Sequence, residues 1–265
     1  MRQIRVGSID LAYEERGSGP VVLLVHGFPL DHSMWSGQIA ALALRFRVIA
    51  PDLRGFGQSD DPGGSDDEET TMQQFATDLA GLLDALEIRE SVTLCALSMG
   101  GYIALQFWKH HRDRLSRLIL CDTRAASDTP EGAQGRLALA ATVLTDGSLP
   151  VADSMLPKLF APQSLNSGAD YIEATNQVMA STRPTAIAAS LRGMAERPDM
   201  TDELPNIELP ALLLCGEHDV ITPVDEMRDV AAAMPDSMFH VIYGAGHMSP
   251  LERPERVNQL ILDFL

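Results

Sequence analysis

The stretch Ser91-Val92-Thr93-Leu94-Cys95-Ala96-Leu97-Ser98-Met99-Gly100-Gly101-Tyr102-Ile103-Ala104-Leu105 decides how this chain is read. An apolar, β-branched run stops at a serine and two glycines lead into a helical pattern, so Ser98 is expected on a sharp turn between strand and helix. A hydroxyl placed there stands above the sheet. The first N–H groups of the new helix have no acceptor one turn back and point at negative charge developing beside it. Small residues in the pattern G-x-S-x-G let strand and helix approach closely at such a turn. The first of those positions is Ala96 here, and over so short a stretch an ordinary N-cap serine would look the same.

Outward from Ser98 the rhythm repeats. Residues 21–25, Val-Val-Leu-Leu-Val, form the continuous apolar run that a strand buried on both faces requires, and it ends in His26-Gly27-Phe28-Pro29. A helical pattern over 34–44 leads to a strand over 46–50 and then to Pro51-Asp52-Leu53-Arg54-Gly55-Phe56-Gly57-Gln58-Ser59. Residues 2–16 alternate around Gly7-Ser8 as an opening hairpin at a sheet edge would. The acidic segment 60–69 is expected to be a solvated loop, with Thr70 or Thr71 capping a helix whose Phe75, Leu79, Leu82, Leu83 and Leu86 share one face. The helix after Ser98 runs to about residue 111, and a strand over 118–121 follows. Buried strands alternating with helices imply βαβ crossovers and a mostly parallel sheet.

After Asp122 the rhythm changes. Residues 123–206 contain helical pieces, at 136–144 and 171–180, punctuated by Pro150, Pro157, Pro162 and Pro184, and no comparable strand run. They are expected to form a helical cap inserted after the sixth strand, over the end of the sheet where the loops gather, with residues 1–122 and 207–265 as the core. The alternation resumes with a strand at 211–215, a helix at 223–234, a strand at 238–243 and a last helix from Pro254.

Composition narrows the partners. A 265-residue chain with 45% hydrophobic residues can bury a large core, and its net charge of −17 repels nucleic-acid backbones and anionic membrane surfaces. No basic patch offsets this, since the only lysines are Lys109 and Lys158, and the expected partner is a small molecule. The N-terminus lacks the apolar core of a signal peptide, and no stretch reaches the ~18 apolar residues that span a bilayer. Cys95, Cys121 and Cys215 each close a strand-like run and read as buried thiols of a reducing compartment, the cytoplasm. Their spacing suits no zinc site.

Three groups fall at strand ends in the order Ser98, Asp219, His247. A serine hydroxyl needs a general base at neutral pH, and the base needs an acid to hold its tautomer. For the base, His247 follows a strand end, whereas His110 and His111 lie near a helix end, His240 lies within a strand, and His26 is expected to hold its own loop by hydrogen bonds. For the acid, Asp219 is favoured, with Glu217 on the same turn and Asp122 at the preceding strand end left as alternatives.

Taken together, His26-Gly27-Phe28-Pro29, the segment 51–59, Ala96-Leu97-Ser98-Met99-Gly100-Gly101, Gly216-Glu217-His218-Asp219 and Gly246-His247 resemble the α/β-hydrolase fold enzymes. The resemblance covers the chain apart from the helical insertion. It implies Ser98 as nucleophile, His247 as base, Asp219 as its orienting acid, and the backbone N–H groups of Phe28 and Met99 as the oxyanion hole. It also implies a cofactor-free serine hydrolase of esters or lactones, most similar to 3-oxoadipate enol-lactonase-like hydrolases and related carboxylesterases. The serine argues against members of this fold that use an aspartate nucleophile. The same triad serves perhydrolases or haloperoxidases and carbon–carbon bond hydrolases, and a ligand receptor could retain it with negligible turnover. Arg124, directly after a strand end, is a candidate contact for a substrate carboxylate. Asp52, Arg54 and Ser59 are read as structural, and Trp35 and Trp108 as packing.

Overall fold

The computed structural model describes residues 1–61 and 69–265, so most of the acidic segment expected to be a loop lies outside the described residues. Among the described residues, eight strands form one sheet in the order β1-β2-β4-β3-β5-β6-β7-β8. They are β1 (Arg2–Val6), β2 (Ile9–Arg16), β3 (Val21–Val25), β4 (Arg47–Pro51), β5 (Val92–Leu97), β6 (Leu115–Cys121), β7 (Ala211–Gly216) and β8 (Ser237–Ile242). The opening hairpin is antiparallel and joins β4 antiparallel; every later pairing is parallel.

Strand periodicity builds the core. Val21, Leu23 and Val25 of β3 face one hydrophobic layer with Leu94 and Ala96, while Val22 and Leu24 face the other with Cys95 and Leu97. The first layer is covered by α2 (Met72–Ala85), α3 (Met99–His111) and α9 (Val224–Ala233), through Phe75, Leu79, Ile103, Phe107, Met227 and Val230. The second is covered by α1 (Ser36–Leu42) and α11 (Pro254–Phe264), through Ile39, Leu42, Val257 and Ile261. Both tryptophans are buried, as packing residues should be.

Thr71 rather than Thr70 caps α2, its hydroxyl accepting from Gln74 N–H. The helix expected at 34–44 is split, a 3-10 turn at His32–Trp35 preceding α1. Asp31 caps that turn, accepting from Ser33 N–H, so helical structure begins ahead of residue 34.

Between β6 and β7 the chain forms α4 (Pro130–Asp146), α5 (Leu149–Leu159), α6 (Pro162–Leu165), α7 (Asp170–Ser181) and α8 (Pro184–Ala195), then a 3-10 turn at Thr201–Asn206. Prolines at the first turn of α4, α5, α6 and α8 start these helices where a missing N–H costs nothing. Hydrogen bonds at several points tie the insertion to the core. Thr182 Oγ1 donates to Pro29 O at 3.0 Å, Thr70 N–H to Ala189 O at 3.0 Å, and Met248 N–H to Leu159 O at 3.0 Å. The short α10 (Ser249–Glu252) leads into α11, and no described helix is long and apolar enough to cross a membrane.

Candidate active site

Ser98 ends β5 with φ of 54° and ψ of −116°, left-handed territory that a non-glycine residue enters only when its surroundings hold it there. Those surroundings are specific. Ser98 N–H donates to Cys121 O at 3.0 Å, Gly101 N–H donates to Ser98 O at 2.8 Å, and Thr123 Oγ1 donates to the same oxygen at 2.7 Å. A Cβ at Gly100 would stand 2.5 Å from Val25 O, and one at Gly101 would stand 2.3 Å from Thr123 Oγ1. Closeness at this turn is therefore required on its helix side, at residues 100 and 101, while Ala96 packs fully buried within β5. Ser98 makes no capping bond with its own side chain, so the bland N-cap reading does not account for it.

Asp219 lies in the loop after β7, His247 in the loop after β8. His247 Nδ1 donates to Asp219 Oδ2 at 2.8 Å, which leaves Nε2 as the lone-pair nitrogen. The carboxylate is anchored on its other edges: Oδ1 accepts from Ile221 N–H at 2.8 Å and Thr222 N–H at 3.0 Å, and Oδ2 from Thr222 Oγ1 at 2.6 Å. Burial works to raise the Asp219 pKa, but electrostatic attraction to the His247 imidazole and the bonds from His247 and Thr222 outweigh it and hold the carboxyl below the usual range. Glu217 is exposed and accepts from Gly244 N–H. Asp122 is fully buried and faces Gly216 N–H at 2.7 Å and the Ser249 hydroxyl. Of the three acids weighed from the sequence, Asp219 is the one bonded to His247.

The loop after β3 carries Phe28. His26 holds it as expected, donating from Nδ1 to Gly27 O at 2.8 Å and accepting Leu53 N–H at Nε2 at 3.0 Å. Asp52 takes His32 N–H at 2.9 Å, His32 Nδ1 at 2.6 Å and Gln58 N–H at 2.8 Å. Burial would lower the His32 pKa, but the bond to Asp52 and the nearby carboxylates raise it instead. Arg54 forks onto Asp78 of α2 with two bonds of 2.7 Å. Met99 N–H belongs to the first turn of α3, where no acceptor lies one turn back.

Arg124 sits at the start of the insertion, where its guanidinium donates to Ile221 O and pairs with Glu226 at 3.3 Å. Its Nε is buried without a partner. Sequence reasoning did not find Thr222, Ser249 or Glu252. Buried Glu252 accepts from Gly246 N–H at 2.6 Å and from Ala161 N–H at 2.9 Å, fixing the loop before His247 against the insertion. None of the three left a signal in the sequence, although Asp219 itself is a residue type that bonds backbone two residues on, as it does with Ile221 N–H.

Among the described residues, two clusters have metal-like composition: Asp31, His32 and Asp52, and Asp122, Cys215 and Asp219. In both, the carboxylates already serve protein donors, and burial holds the Cys215 thiol protonated. A groove of about 360 Å³ runs between α7 and the loop after β3, lined by Leu30, Met34, Tyr171, Val178 and Leu251 among others; Ser98, Asp219 and His247 are not among its lining residues.

A strained serine at a β-strand-to-helix turn, with an Asp–His pair at neighbouring ends of a mostly parallel sheet, defines an enzyme of the hydrolase class. The chain belongs to the alpha/beta hydrolase fold family, whose profile matches residues 20–254. It is similar to a thermophilic esterase from Thermogutta terrifontis solved with malate bound, at 44% identity and TM-score 0.95 over 99% of this chain and 97% of that one. It is also similar to an enol-lactonase from Burkholderia xenovorans, at 30% identity and TM-score 0.90 over 99% of each chain. To 3-oxoadipate enol-lactonase 1 of Acinetobacter baylyi it is 29% identical over 94% of this chain and 89% of the relative.

Proposed function

We propose that this protein is a serine hydrolase of carboxylic esters or lactones, working through an acyl-enzyme on Ser98. The observation that carries the reading is the 2.8 Å Nδ1–Oδ2 bond between His247 and a fully anchored Asp219, on the sheet edge that also ends in Ser98. His247 Nε2 takes the Ser98 proton as Oγ bonds to the substrate carbonyl carbon. The N–H groups of Phe28 and Met99 receive the resulting oxyanion. Collapse breaks the carbon–oxygen bond, and the leaving alkoxide or enolate takes the proton from His247. Water then attacks the acyl-enzyme with His247 as base and releases the acid and free Ser98.

Residues 123–206 act as the cap over this site, a reading supported by the bonds from Thr182 to Pro29 and from Met248 to Leu159 on either side of it. Arg124 is the proposed contact for a substrate carboxylate, which has to displace Glu226 to reach it. The malate held by the related esterase supports an acidic substrate.

The test is hydrolysis of a short-chain aryl ester and of a panel of lactones and enol-lactones by the protein and by Ser98→Ala. The variant is expected to lose at least about a thousandfold in kcat. Equal rates for the two proteins would overturn the hydrolase reading and favour a binding role for the fold.

A further inference from the structure

Among the described residues, three non-glycine residues have a left-handed backbone: Glu87, Ser98 and Asp122. Two of them are neighbours, since Leu97 pairs with Cys121 and each strand then ends in its strained residue. Strain at Ser98 belongs to the nucleophile turn. Strain at Asp122, φ 47°, has no part in the reaction described above.

The Asp122 carboxyl reaches both neighbouring loops. Its Oδ1 accepts Gly216 N–H at 2.7 Å, where the chain leaves β7 for Asp219, and its Oδ2 is bonded to Ser249 Oγ, two residues after His247. The backbone repeats the tie, with Asp122 N–H donating to Leu214 O at 2.8 Å. Space at this junction is tight, because a Cβ at Gly216 would stand 1.9 Å from Gly246 O. The acid and base loops are in direct contact, His218 N–H donating to Ala245 O at 2.8 Å, and Asp122 bonds to the strand end that leads into the first and to the helix start that follows the second.

We propose that Asp122 is a positioning residue for the triad, its carboxyl bracing the acid loop against the base loop so that His247 stays in register with Ser98. The proposal rests on the hydrolase reading. Asp122 contributes no charge to the reaction. The groups facing it are the Asp219 carboxylate and the Cys121 and Cys215 thiols, with His247 bonded to Asp219 Oδ2. One oxygen of each carboxyl and the Cys215 sulfur lie within 4.8 Å of one another in a buried pocket. A buried carboxyl this close to a second one is disfavoured from ionising beside it. Asp219 has His247, two backbone N–H groups and a hydroxyl to hold its charge, so Asp122 keeps the proton, and burial followed by the Asp219 charge pushes its pKa well up.

The test compares wild type, Asp122→Ala, Asp122→Asn, Ser249→Ala and Asp219→Asn on a short-chain aryl ester. Asp122→Ala is expected to lower kcat about thirtyfold with KM within about twofold, because a misplaced base costs turnover rather than binding. Asparagine keeps both contacts, its oxygen accepting from Gly216 N–H and its amide donating to Ser249 Oγ once that hydroxyl, the donor to Asp122 Oδ2, turns to accept. Asp122→Asn should therefore recover to within about threefold of wild type, and the acid limb of its kcat/KM–pH profile should keep the wild-type midpoint. A shifted midpoint, an Asp122→Asn as damaged as Asp219→Asn, or an Asp122→Ala at wild-type kcat would each overturn the proposal. Should Asp122→Ala fail to fold, Ser249→Ala carries the same test, and wild-type kcat in that variant overturns the brace.

Thermal unfolding supplies a readout that needs no turnover. A carboxyl whose folded pKa lies above its unfolded value makes the folded protein less stable as pH rises past about 4. The Tm of Asp122→Asn should therefore rise relative to wild type between pH 4 and pH 8, and a constant difference would overturn the neutral carboxyl. If wild type and Ser98→Ala hydrolyse the ester equally, the hydrolase reading fails while this comparison still decides the state of Asp122.

Discussion

Thr222 shows how much one side chain contributes at the residue scale. Its hydroxyl and its N–H both donate to Asp219, so it supplies part of what keeps that carboxylate charged opposite His247. A hydrogen bond to a charged group contributes about 1.5–3 kcal/mol, and each 1.4 kcal/mol is about tenfold in rate. Thr222→Val keeps the shape and the N–H and removes the O–H. It is expected to lower kcat about tenfold and leave KM near the wild-type value, as steady-state kinetics on one aryl ester would measure. An unchanged kcat would show that the backbone donors and His247 suffice. The triad positions themselves were legible as residue types, since a serine, an aspartate and a histidine each follow an apolar run. Thr222, Ser249 and Glu252 were not, because a hydrogen-bonding side chain in a loop has no pattern until its partner is known.

At the scale of elements, the turn from β5 to α3 places its steric demand on one side. Gly100 faces the carbonyls of Val25 and His26, which cannot withdraw, and Ala96 lies within the sheet between Val25 and Leu120. Gly100→Ala is expected to destabilise the protein by several degrees in Tm and to lower activity, because its methyl group must push β3 and α3 apart. Ala96→Gly should cost only about 0.5–1 kcal/mol of strand stability and leave Ser98 reactive. Parallel thermal melts and ester assays separate the two, and a larger loss in Ala96→Gly would show that residue 96 shapes the turn. The split of the 34–44 helix belongs to this scale too. Apolar spacing continued through it, but a local cap at Asp31 started the first turn early.

For the whole molecule, the insertion and the core meet at Arg124, whose guanidinium joins the start of the insertion to Ile221 and Glu226 across the acid loop. Its proposed role in binding predicts that Arg124→Ala raises KM for a carboxylate-bearing ester by about tenfold while KM for the neutral analogue changes less than about twofold. Equal changes for both substrates would assign Arg124 to holding the acid loop instead. The chain's charge of −17 repels an acidic substrate at long range, so an anion that binds needs a local cation such as Arg124 to hold it.

By itself the sequence determined the order of strands and helices, the parallel sheet and the placing of Ser98, Asp219 and His247 after strand ends. Local apolar periodicity and turn chemistry carry that information. Only the tertiary structure decided that Asp219 bonds His247 while Asp122 spans the two loops and Glu217 points to solvent. All three acids follow strands, and what separates them is the direction each backbone turn gives its side chain and which donors arrive from segments distant in sequence. Ser98 stands between the two cases. Its neighbours announced a sharp turn, but its left-handed backbone is held by Cys121 at the end of β6 and Thr123 just beyond it, contacts that exist only once the sheet has formed.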